Sequence, residues 1–81
     1  MIKQFNFNGK IEEYDVDYMV LFGERDNEHP EDHYTNRKNN GMVFDTLVEA
    51  KDSADEKWNA RIWEVAHAID SGDIVFVTEV K

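Results

Sequence analysis

The clearest pattern in the chain is an alternation. From Ile11 to Phe22, the residues Tyr14, Val16, Tyr18, Val20 and Phe22 interleave with Glu13, Asp15, Asp17, Met19 and Leu21. A period of two is that of a strand, whose successive side chains point to opposite faces. One face is apolar throughout, and the other turns from acidic to apolar at Met19. Just upstream, Ile2 to Asn8 carries Phe5 and Phe7 two apart and ends in Asn8-Gly9, a dipeptide suited to the positive φ angles of a tight hairpin turn. The two segments are expected to pair as an antiparallel hairpin.

Residues 23–41 are polar, contain the single proline, Pro30, and end in the turn signal Asn39-Asn40-Gly41. This stretch reads as a long acidic loop in which no helix is placed, a single turn after Pro30 being the most that it allows. It exceeds what a compact domain normally leaves unstructured, so it is expected to be functional or partly ordered. Met42 to Ala50 reads as a third strand. Ser53-Ala54-Asp55-Glu56 then has the form of a capping box, and Ala54, Trp58, Ile62, Val65 and Ile69 fall on one stripe of a helix that Ser71-Gly72 would end. Ile74 to Val80 is β-branched and apolar on both faces for most of its length, as a central strand would be. The expected fold is α+β, in the order β-β-loop-β-α-β. It has a mixed sheet of about four strands, one helix on one face, and a right-handed crossover that sets the last two strands parallel.

Length and composition narrow the class. Eighty-one residues suit a single domain with a thin core, and 41% hydrophobic with 12% aromatic residues keeps the chain on the globular side of the disorder boundary. With no cysteine, disulfides and thiolate metal sites are excluded. The N-terminal residues lack the basic-then-apolar pattern of a signal peptide and no apolar run approaches the length of a membrane span, so a cytoplasmic location is expected.

Charge changes the picture most. Eighteen acidic residues face nine basic ones, a formal charge of −9. Such a field repels nucleic acid and membrane surfaces and speeds encounter with basic ones. The excess is concentrated in Glu12, Glu13, Asp15, Asp17, Glu24, Asp26, Glu28, Glu31 and Asp32, with Arg25 the one cation among them. Glu13, Asp15 and Asp17 would stand on one strand face at ~6.7 Å intervals, twice the rise per residue and close to phosphate spacing. These nine acids are therefore the candidate partner-binding residues, and the candidate partner is the basic surface of a nucleic-acid-handling protein. The alternative is that the acidity serves solubility, as in a small regulatory or structural adaptor.

Catalytic chemistry has little to build on. The two serines are accounted for as a helix cap and a helix-ending turn, no glycine-rich phosphate motif is present, and Asp15 and Asp17 have no evident pocket. The chain is expected not to be an enzyme. His29 and His33, beside Glu28, Glu31 and Asp32, are donors of the kind zinc accepts. Pro30 between them spoils the helical spacing, so they read as solvated loop residues and no metal or cofactor is expected, with a metal-binding protein using the 28–33 loop as the second alternative function. On the expected helix, Ala60, Trp63 and His67 form a second stripe with Glu56, placing Trp63 away from the sheet. That face is either a homodimer or partner surface, or is covered by residues 23–41, with Tyr34 a plausible contact.

In size, charge and lack of catalytic residues, and in the acidic run Glu12-Glu13-Tyr14-Asp15-Val16-Asp17 with Glu24 to Asp32, the chain resembles the small acidic inhibitors encoded by bacteriophages and other mobile elements. That class includes anti-CRISPR, anti-restriction and host-takeover proteins. Val48 to Glu56 is also similar to the strand-to-helix junction of small β-α-β phage and plasmid proteins. The resemblance implies a host protein as partner and no activity of the chain's own.

Overall fold

A computed structural model describes residues 1–54 and 59–81. The first hairpin forms as expected. Strands β1 (Ile2–Phe7) and β2 (Lys10–Leu21) pair antiparallel, Phe7 opposite Lys10 and Ile2 opposite Asp15. Asn8 and Gly9 take φ of 54° and 88°, the left-handed values that a two-residue turn of matching twist requires. The Asn6 side chain closes the turn by accepting from the Gly9 N–H at 2.8 Å.

The next segment is not a loop. It holds α1 (Glu24–Glu28), a 3-10 turn (Pro30–His33) and α2 (Tyr34–Asn39), which together make a helical arm. Beyond the arm, strand is confined to β3 (Val43–Phe44), and Leu47–Ala54 is a helix, α3. The expected strand to Ala50 is thus cut short at Phe44. The start of α3 is marked by Thr46 and Glu49: the Glu49 N–H donates to Thr46 Oγ1 at 3.3 Å, and the hydroxyl donates to the Glu49 carboxylate at 2.8 Å. Ser53, expected to open a helix, lies inside α3. Glu56 and Trp58, the other anchors of that reading, fall outside the described residues.

Arg61–His67, expected on a helix, is strand β4. It pairs antiparallel with β2, Tyr18 opposite Glu64, and with β5 (Ile74–Val80), Val65 opposite Val77. The expected crossover between the last two strands is not made: β4 and β5 are joined by a turn in which the Ala68 N–H donates to Asp73 O and the Gly72 N–H to Ala68 O, while α3 lies between β3 and β4, which flank β2 on opposite sides and run parallel to each other. The fold is α+β with a five-stranded sheet, ordered β1-β2-β4-β5 with β3 beside β2, and every described pairing is antiparallel. It carries several short helices, where one long helix was expected.

Alternation of side chains along β2 divides the core in two. Val16, Tyr18 and Val20 face Ile62, Ala66, Ala50 and Ala54, so α3 covers this side. Met19 and Leu21 face Val65 and Tyr34, with Trp63, Val43 and Val77 around them, so the arm covers the other. Only the second half of β2 is sandwiched in this way. Its first half and β1 extend beyond the helices and give the molecule a long dimension of 38 Å against 23 and 22 Å.

Candidate functional site

The acids of β2 stand where alternation puts them, but their surroundings differ. Asp17 is largely buried; it accepts from the Tyr34 hydroxyl at 2.5 Å and lies 3.1 Å from His67 Nε2. Burial pushes the Tyr34 hydroxyl well above its ordinary pKa, and the bond to Asp17 adds to that shift. Asp15 accepts from the Met1 amino group at 2.6 Å, a hydrogen bond that holds its carboxyl below the usual aspartate value. Glu13 is exposed and has no partner among the described residues. Glu12 lies on the opposite face, where the Tyr14 hydroxyl, with help from Lys10, holds it below its ordinary value. The phosphate-spaced row therefore contains one unpaired carboxylate, Glu13, beside two that hold the fold together.

The arm presents acids of another kind. Glu24, Glu28, Glu31 and Asp32 are all exposed, and none forms an ion pair among the described residues. Asp26 alone turns inward, 3.0 Å from Arg37 Nη2 and 3.7 Å from His33 Nε2. Four hydrogen bonds order the arm, two of which reach the sheet. Trp63 Nε1 donates to Asn27 Oδ1 at 2.7 Å, and Asn27 in turn donates to Gly23 O at 2.7 Å. Tyr34 bonds Asp17, and Arg37 joins Asp26 while stacking over Phe22.

Ala60, Trp63 and His67 do not share a helical stripe. Trp63 and His67 occupy the same face of β4 because they are an even number of residues apart, whereas Ala60 precedes the strand and packs with the α3 cluster. Residues 24–39 lie over Trp63, and Tyr34 sits in the same cluster and meets the His67 ring edge-on at 5.0 Å. Both His67 nitrogens are engaged, Nε2 with Asp17 and Nδ1 with Gly72 O at 3.1 Å. A cavity of about 240 Å³ beside them is lined by Asp15, Asp17, Tyr34, Lys38 and His67.

The two histidines of the arm part company. His33 joins Asp26, while the ligand atoms of His29, Glu31 and Asp32 lie within 4.8 Å of one another on the surface. The structure also reveals residues that sequence reading passed over. Asn27 is nearly fully buried as the hinge pin of the arm, and Glu64, also buried, accepts from Lys3 at 2.8 Å and from Tyr18 at 3.1 Å. A charged residue inside an otherwise apolar run, Ile62 to Ala66, was the one available signal for Glu64.

No protein family, curated protein or solved structure was found to match this chain.

Proposed function

We propose that the chain is a non-catalytic acidic binding protein, of the kind phages and mobile elements use as inhibitors, and that it docks on the basic, nucleic-acid-binding surface of another protein. One observation carries this reading: Glu24, Glu28, Glu31 and Asp32 are exposed and unpaired among the described residues, on an arm clamped to the sheet through Asn27 and Tyr34 and braced internally by the Arg37–Asp26 pair. Charges held by a fixed backbone lose little entropy on docking, and a cluster of one sign steers encounter with a basic groove. The contact surface thus centres on the arm, with the unpaired Glu13 as a further contact and Asp15, though exposed, already paired with the Met1 amino group. Glu12 and Asp17 contribute field but are already bonded within the chain.

The test compares wild type with a variant carrying Glu24→Gln, Glu28→Gln, Glu31→Gln and Asp32→Asn. A bacterial protein captured by wild type is expected to be released by added DNA or RNA, to bind more weakly as salt rises, and to be lost by the variant. Capture that persists with nucleic acid already seated on the partner would sink the reading. A second reading, a self-associating adaptor, is favoured by Ile74 and Val75, exposed on the edge strand β5. Sedimentation over a wide concentration range separates the two, since the inhibitor reading needs no dimer.

A further inference from the structure

We infer that His29, Glu31 and Asp32 form a surface site for a divalent transition-metal ion of the zinc class. Each of the three histidines in the chain lies near carboxylate, but they are used differently. His67 is bonded to Asp17 and Gly72, and His33 sits against Asp26. The His29 ring and the Glu31 and Asp32 carboxylates have no intramolecular hydrogen bond or ion pair among the described residues, yet their ligand atoms converge to within 4.8 Å of one another. In tetrahedral zinc coordination, donor atoms stand about 3.3 Å apart given metal–ligand distances near 2.0–2.1 Å. All three side chains are exposed, so their rotamers are free to adjust toward a bound ion.

The local fold explains the convergence. Pro30, buried at the start of the 3-10 turn, fixes φ and lacks the N–H that the turn would leave unpaired. The Asp32 N–H donates to His29 O at 3.2 Å and closes the turn. His29 and Asp32 are thereby held at the two ends of one closed turn. One imidazole and two carboxylates match the borderline character of zinc, leave a coordination position for water, and cancel the ion's charge. Hard cations, which prefer all-oxygen cages, gain little from the imidazole.

The site shares Glu31 and Asp32 with the proposed docking surface, but its test is independent of docking, because it uses the protein and the metal alone. Zinc titration would be followed by calorimetry and by NMR of the histidine rings, with His29→Ala, His33→Ala and the double variant Glu31→Gln/Asp32→Asn alongside wild type. The expected result is one zinc per chain with the His29 ring signals shifting first, retained by His33→Ala and weakened at least tenfold by His29→Ala and by the double variant. Magnesium is expected to bind at least tenfold more weakly than zinc. Zinc affinity unchanged in His29→Ala, or lost equally in His33→Ala, would overturn the site.

Discussion

Tyr34 joins the two halves of the structure at a single hydroxyl. Its O–H donates to the largely buried Asp17, and hydrogen bonds to a charged group contribute roughly 1.5–3 kcal/mol. Tyr34→Phe is expected to lower stability by about that amount in denaturant unfolding. It should also change the alkaline limb. A tyrosine with a raised folded pKa keeps its proton where the unfolded chain has lost it, so stability is full below the unfolded value near 10 and falls as pH rises toward the folded one. Burial raises Tyr18 and the Glu12 bond raises Tyr14 in the same direction. The decline above pH 10 should therefore become shallower in Tyr34→Phe without vanishing. Asn27 offers a companion test. Asn27→Ala leaves the Trp63 indole N–H and Gly23 O without their partner, and a loss of roughly 1–3 kcal/mol is expected in the same measurement.

At the scale of elements, what was legible followed from how each segment is covered. The β1–β2 hairpin could be read because one side of β2 is apolar and the turn is Asn8-Gly9, and β5 as a strand because its run is β-branched, although it lies at the edge of the sheet and not at its centre as that run suggested. Strand β4 was misread because the arm covers one face and α3 the other. Ile62, Val65 and Ala66 are consequently apolar without alternation, and their spacing happened to suit a helical stripe. The aromatic and β-branched content of Ile62, Trp63 and Val65 was the better guide. Helix α3 was displaced in the reading because Ser53-x-x-Glu56 was taken as its cap, whereas Thr46 and Glu49 mark its start. Removing the observed cap, Thr46→Ala, should cost about 0.5–2 kcal/mol, which thermal unfolding would register. The arm's helices are each six residues or shorter and leave no periodic trace, so only their tertiary contacts reveal them. The acidic cluster was legible as composition, whereas its division into bonded and unbonded carboxylates was not, since that depends on Tyr34, Met1 and Arg37 arriving from elsewhere.

Across the whole molecule, the charge excess works against compactness. Like charges gathered on one arm repel, and salt screens them over about 10 Å at 0.1 M. Neutralising Glu24, Glu28, Glu31 and Asp32 together should leave stability unchanged or raise it at low salt, with the difference shrinking as salt is added. Unfolding curves at two ionic strengths check this. A marked destabilisation would mean that these side chains hold the arm in place. Among the described residues, no helix is long and apolar enough to cross a membrane.

The length of β2 also sets the order in which the chain acquires its structure. Its first half pairs with β1 across a two-residue turn, an event on the microsecond scale. Its second half must wait for β4, where partners such as Tyr18 and Glu64 are 46 residues apart, and closing so large a loop precedes any reward from the core. The hairpin is then a preformed template, and capture of β4 is the slow step. Truncating Val20 or Val65 should slow refolding in stopped-flow experiments. Gly9→Ala, strained by a φ of 88°, should instead act on the early hairpin and show how far the template is already built at the barrier.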